Sequence, residues 1–302
     1  MARTRLAAAA FAAVLGAGTF TAAGTAQAAP APPAPAPPVP PAPALDRPVP
    51  HQAVPSTRAE VDFTGIVVLS NCSGSLVRGP RSRDGDAALV MTNGHCLETG
   101  MPAAGEVIVD RPSSRTFTLL DRTGTRNLGS LRATRVEYAT MTDTDVAIYR
   151  LDATYAAIRR RHGVSALRLS AARPQAGTPI KVVSGYWRTI YNCKIDGIVH
   201  RLREAEWTWK DSIRYTPECQ TIGGTSGSPV VNARTGHVVG VNNTGNENGE
   251  RCTLNNPCEV DPQGNVTVRK GINYGQQTYP LARCLGTGGD VVLGAGCALP
   301  RP

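Results

Sequence analysis

The sequence predicts an all-β fold built from two packed barrels. Three observations carry that expectation. Apolar segments are short and of strand length. Turn signals recur between them about every 8 to 12 residues. The segments also fall into two groups of similar size, over about 61–155 and 175–285, without the strand–helix alternation that a parallel α/β sheet requires.

The start of the chain lies outside this fold. Arg3 and Arg5 form a positive head, Leu6 to Thr19 is rich in Ala, Val, Leu and Gly, and Ala26-Gln27-Ala28 fits a small-x-small cleavage site. Residues 1–28 therefore read as a secretory signal peptide, with Ala29 as the mature N-terminus. A membrane anchor needs about 20 apolar residues; this run is shorter and interrupted by Gly and Thr. No later stretch is long enough to span, so no membrane insertion is expected. Residues 29–60 are rich in Ala and Pro, with too little apolar variety to bury a core. They read as an extended spacer or short propeptide, leaving 61–302 as the folded domain.

Strand patterns then follow in order. Gly65 to Ser70 and Gly74 to Val77 come first. Ala87 to Thr92 is a buried-strand pattern ending at Asn93-Gly94. Glu106 to Asp110, Ser114 to Leu120, Ser130 to Tyr138 and Val146 to Leu151 complete the first half. Asp152 to His162 can form a short helix. After Gly177 the pattern restarts with Ile180 to Tyr186, Gly197 to His200, Ser212 to Tyr215, Pro229 to Asn232 and Val238 to Val241.

Charge and cysteines bound the function. The formal charge is +9, of which Arg3 and Arg5 leave with the signal, so about +7 remains. It is scattered rather than clustered, and aromatics are not interleaved with the one local run, Arg159-Arg160-Arg161. That run reads as a solvated helix face, and nucleic acid is not an expected partner. All eight cysteines (Cys72, Cys96, Cys193, Cys219, Cys252, Cys258, Cys284 and Cys297) follow the signal. An even count in a secreted chain reads as four disulfides. Nearest-neighbour pairing is the simplest of the 105 possibilities. Among the sequence signals there is no CxxC pair, no His-Glu-x-x-His and no phosphate-binding glycine loop, so neither a metal nor a cofactor is expected.

The chemistry centres on Gly223-Gly224-Thr225-Ser226-Gly227-Ser228-Pro229, a serine in a glycine-rich turn before an apolar run. A serine hydroxyl needs a base to become a nucleophile. Of His51, His95, His162, His200 and His237, only His95 sits just past a buried strand, beside a cysteine that can pin its loop. Asp145, directly before the strand Val146 to Leu151, is the candidate to orient that base, and Asp143 is its competitor. Ser228 competes with Ser226 as nucleophile.

These stretches resemble the chymotrypsin-like (trypsin-fold) serine proteases. The resemblance rests on Cys72-Ser73-Gly74-Ser75-Leu76-Val77, Thr92-Asn93-Gly94-His95-Cys96, Asp145-Val146-Ala147 and Gly224-Thr225-Ser226-Gly227-Ser228-Pro229, over about residues 61–245. It implies two six-stranded antiparallel β-barrels with the active site between them. Ser226 becomes the nucleophile, His95 the general acid/base and Asp145 its orienter, with the N–H groups of Gly224 and Ser226 as an oxyanion hole. It implies a monomeric serine endopeptidase acting on protein or peptide substrates. Two other readings stay open at this point: a non-catalytic binding protein on a protease fold, and a secreted esterase.

The departures from the family pattern bear on activation and specificity. Thr225 stands where animal trypsin-like enzymes carry the aspartate that receives a freed N-terminus. The Gly-x-Ser-Gly-Ser-Pro form is closest to the bacterial glutamyl-endopeptidase branch. Gln220 replaces the aspartate that selects Arg or Lys in trypsin-like members. Thr221 matches a hydroxyl residue of glutamyl endopeptidases, and Asn242 stands at their pocket histidine. Asn243, Thr244 and Gly245 form the edge expected to pair with extended substrate backbone. Cleavage after Glu is the specificity these matches suggest. The segment Cys284 to Pro302 reads as a cysteine-closed loop with no counterpart in the resemblance.

Overall fold

The computed structural model describes residues 60–302; the expected signal peptide, the Ala/Pro-rich tract up to residue 59 and His51 lie outside the described residues. The first sheet contains β1 (Ile66–Val68), β2 (Ser73–Arg78), β3 (Ala87–Thr92), β4 (Val107–Pro112), β5 (Thr116–Leu120), β6 (Asn127–Thr140), β7 (Val146–Thr154) and β8 (Leu167–Arg168). Six of these run in the order β1-β5-β6-β7-β3-β2, and β1 pairs with β2 to close the ring. β4 adds to the long β6, and β8 lies parallel to β2.

The second sheet contains β9 (Pro179–Ser184), β10 (Thr189–Glu204), β11 (Trp207–Tyr215), β12 (Pro229–Asn232), β13 (Val238–Gly245), β14 (Cys258–Val260), β15 (Val266–Val268) and β16 (Asn273–Gln277). Its ring runs β11-β16-β13-β12-β9-β10 and closes through the β10–β11 pairing. The β14–β15 hairpin extends the far end of β10. Both halves are therefore closed six-stranded antiparallel barrels, and closure leaves those strands no free edge.

Each barrel has its own apolar filling. Phe117, Tyr149, Leu119, Val90 and Leu151 are among those that fill the first, and Ile180, Val182, Ile195, Ile213 and Val230 among those of the second. A further cluster joins them, with Ile66, Val77, Met91 and Ile148 from one side meeting Val183, Val231, Val238 and Val241 from the other. The pattern of period two along the strands explains this: alternate side chains face the barrel interior while their neighbours face outward to the partner barrel or to solvent.

A short helix α1 (Tyr155–His162) connects the barrels. Sequence pattern places its start at Asp152, but β7 continues to Thr154, which pairs with Ala87. Thr154 then caps the helix, its hydroxyl accepting the Ala157 N–H at 3.2 Å, and Gly163 ends it in the left-handed region at φ 69°. A second helix, α2 (Tyr279–Cys284), leads into the C-terminal segment. Leu281, Ala282, Leu285 and Leu299 pack into the cluster between the barrels, so this segment is a seal rather than an appendage.

The cysteines pair as Cys72–Cys96, Cys193–Cys219, Cys252–Cys258 and Cys284–Cys297. Four disulfides fit an oxidising compartment. No helix among the described residues is long and apolar enough to cross a membrane.

Candidate active site

His95 lies in a single 3-10 turn, Gly94–Cys96, immediately after β3. The Cys72–Cys96 bond ties that turn to the start of β2. Asp145 immediately precedes β7, which pairs with β3, so strand register brings the two residues together. Its carboxylate is fully buried and holds His95 twice. Oδ1 accepts the His95 backbone N–H at 3.1 Å, and Oδ2 lies 2.6 Å from Nδ1. Asn93 fixes the aspartate in turn, its side-chain amide donating to the Asp145 carbonyl at 2.9 Å. Asp143 points elsewhere and pairs with Lys210 at the surface.

Two effects oppose each other at the imidazole. Burial disfavours its charged form, while the charge and hydrogen bond of Asp145, with a smaller contribution from Glu204, favour it. The second set prevails, and the His95 pKa lies above its ordinary value of 6.5.

Ser226 enters from the second barrel, in the turn before β12, and lines the same cleft as His95. Its hydroxyl donates to the Asn243 carbonyl at 3.2 Å. The turn places Gly224 at φ 87° and Gly227 at φ 81°, both in the left-handed region that favours glycine. A Cβ on Gly227 would also come within 2.1 Å of the Thr92 hydroxyl and 2.2 Å of the Ser73 carbonyl. Among the described residues, no hydrogen-bond acceptor engages the N–H of Gly224 or Ser226.

The turn is fastened to the first barrel by Ser73, a residue whose role the sequence reading missed. Its N–H donates to the Ser226 carbonyl at 2.8 Å, and its buried hydroxyl donates to the Gly224 carbonyl at 3.1 Å. The same hydroxyl accepts the Tyr186 N–H at 3.1 Å and meets the Ser184 hydroxyl at 3.0 Å. Thr225 closes the turn from within. Its hydroxyl donates to the Ile222 carbonyl and accepts from the Asn242 amide at 3.1 Å, so no carboxylate is needed at that position. Ser228 is fully buried behind the turn and does not line the cleft.

Of the residues expected to bind substrate, Thr221, Asn242, Asn243, Thr244 and Gly245 all line the cleft. Gln220 does not; its side chain is exposed and folds back onto the Pro217 carbonyl. Asn242 is buried and gives one of its two amide N–H groups to the Thr225 hydroxyl. Sequence reasoning also missed Glu204, Trp207 and Trp209, which line the same cleft. His95 stands close to the Cys72 and Cys96 sulfurs, but their disulfide removes both thiolates as metal ligands.

Residues 72–241, more than half of the chain, match the family described as the trypsin-like peptidase domain. The chain belongs to the trypsin-like peptidase family. The match is to the trypsin-like peptidases as a group and does not single out the glutamyl-endopeptidase branch. No curated protein matches the sequence. Among solved structures, this trypsin-like peptidase is similar to the MamO protease domain of Magnetospirillum magneticum, at 14% identity and a TM-score of 0.45 over 72% of this chain and 94% of that one. It is likewise similar to the active form of the Rv3671c protease of M. tuberculosis, at 18% identity and a TM-score of 0.40 over 70% and 74% of the two chains. Deg5 aligns at 15% identity with a TM-score of 0.44, covering 73% of this chain and 87% of that chain.

Proposed function

We propose that this trypsin-like peptidase is a secreted serine endopeptidase that hydrolyses peptide bonds through an acyl-enzyme. The observation that carries the reading is His95, held by Asp145 at 2.6 Å, lining one cleft with Ser226, in a turn where the N–H groups of Gly224 and Ser226 are unengaged.

The chemistry proceeds from the residues. The reaction requires the Ser226 hydroxyl to exchange the Asn243 carbonyl for His95 Nε2; such bonds are often unformed until substrate binds. His95 accepts the proton as Ser226 Oγ attacks the scissile carbonyl. Asp145 holds the tautomer that leaves Nε2 free and stabilises the imidazolium. The carbonyl oxygen becomes an anion facing the N–H groups of Gly224 and Ser226, each such donor typically supplying about 10²–10³ in rate. His95 then returns the proton to the leaving amine. Water, deprotonated by the same imidazole, releases the acyl group and restores Ser226.

Residues 1–28 direct export and 29–60 form the spacer or propeptide; the four disulfides support an extracellular site of action. The protein acts as a monomer on protein or peptide substrates and needs no cofactor. The test is turnover of fluorogenic casein by the purified chain beginning at Ala29. Hydrolysis is expected, with Ser226→Ala or His95→Ala each reducing kcat about 10⁶-fold. Ester hydrolysis without peptide cleavage would overturn the reading.

A further inference from the structure

The cleft also holds a carboxylate that touches His95 only through its charge and has no bonding role in the proposed reaction. Glu204, the last residue of β10, is 4% exposed and lines the cleft. One carboxylate oxygen, Oε1, accepts the Asn255 N–H at 2.8 Å. The other, Oε2, is buried; among the described residues no donor meets it in full hydrogen-bond geometry, and the Thr244 side chain is the polar group beside it. No lysine or arginine is among the residues lining this cleft, and Glu247 adds a second carboxylate there, although the chain as a whole carries +9.

The surroundings of Glu204 have a matching shape and chemistry. Trp207, Trp209, Met101, Met141 and Leu254 line the same cleft. Both indole N–H groups are already engaged, Trp207 with the Pro102 carbonyl and Trp209 with the Met141 carbonyl, so the rings offer apolar and π surface only. Met101 and Leu254 are exposed at the mouth. Indole, thioether and alkyl groups lining the same cleft as a desolvated carboxylate suit a long alkyl stem ending in a cation. A buried carboxylate is unfavourable alone, and a charge-assisted bond to an incoming cation offsets that cost.

The position along a bound peptide follows from the neighbours. Ser226 contacts the Asn243 carbonyl, and Thr244 is the next residue of β13 and lies beside the Glu204 carboxylate. A peptide paired with Asn243 to Gly245 therefore presents to Glu204 a side chain upstream of the scissile bond.

We propose that Glu204 is a specificity-determining residue that selects a lysine or arginine side chain upstream of the scissile bond. The inference rests on the protease reading for the direction of the bound peptide. It also opposes an acidic side chain at that position.

The alternative role for Glu204 is to anchor the loop through Asn255, and Glu204→Gln separates the two. Glutamine keeps an oxygen for the Asn255 N–H and loses the charge. The experiment measures fluorescence-anisotropy Kd values for labelled alanine hexapeptides carrying one Lys, Arg, norleucine or Glu, moved through the six positions. The proteins are Ser226→Ala and Ser226→Ala/Glu204→Gln, so turnover does not enter. The expected result is one position where Lys or Arg binds at least about tenfold tighter than norleucine, with that ratio falling to near one in the double variant. Equal binding of Lys and norleucine at every position overturns the proposal. So does a preference that survives Glu204→Gln, or a loss of affinity equal for all peptides. Failure of the protease reading appears separately, as absence of peptide turnover by the wild-type chain.

Discussion

At the residue scale, the balance at His95 makes a direct prediction. In the proposed reaction the neutral imidazole is the base, and its pKa is raised above 6.5 because Asp145 outweighs burial. Activity is therefore lost as pH falls through that raised value, and the ascending limb of kcat/KM is expected above about pH 6.5. In Asp145→Asn the opposing burial prevails, so the limb moves to lower pH while kcat falls about 10⁴-fold. A pH–rate profile of the two proteins checks both. Ser73 carries a second prediction. Removing its buried hydroxyl leaves the Tyr186 N–H and the Gly224 carbonyl without a partner, at a cost of about 1–3 kcal/mol. Denaturant unfolding of Ser73→Ala measures that loss, and kcat is expected to fall with it because the turn bearing Ser226 loosens. The convergence of His95, Asp145 and Ser226 was legible because each sits in a short motif at a strand end. Glu204 was not: in His200-Arg201-Leu202-Arg203-Glu204 the alternation of charged and apolar residues reads as a solvated face. Only the loop folded over it, held by Asn255, makes that position buried.

At the element scale, the serine turn depends on glycine at two places where a side chain has neither the conformation nor the space. Gly227→Ala is expected to cost well over about 1 kcal/mol, since it combines a left-handed φ with contacts to Thr92 and Ser73. A lower melting temperature and weaker labelling of Ser226 would register it. Strands rich in Val, Ile and Leu were legible, β3 and β12 to the residue. β16, Asn-Tyr-Gly-Gln-Gln, was not, because its polar and glycine content carries no strand signal of its own; pairing with β13 on one side and β11 on the other makes it a strand. β14 and β15 are three residues each and are set by the Cys252–Cys258 loop and by the long β10. The helix after β7 was read too early because Asp152 to Thr154 lacks a strand pattern, yet Thr154 still pairs with Ala87.

At the scale of the whole molecule, the cleft exists only because the two barrels are held in register. Apolar packing between them and the Ser73 bonds across them do this, and the C-terminal segment completes the seal. That segment had no counterpart in the sequence resemblance, and its role follows from where it packs: Leu281 is buried among residues of both barrels, and the Tyr138 hydroxyl donates to the Pro300 carbonyl. Leu281→Ala is expected to destabilise by about 2–5 kcal/mol, measured by denaturant unfolding. The two long-loop disulfides, with separations of 24 and 26 residues, each contribute about 3.5 kcal/mol in the loop-entropy estimate.

Ser226, activated by His95, is the proposed nucleophile. Reaction of the folded chain with a fluorophosphonate, followed by mass-spectrometric mapping of the adduct, tests that assignment. A single adduct on Ser226 is expected, absent in Ser226→Ala and lost in His95→Ala. An adduct on Ser228, or undiminished labelling without His95, would contradict it.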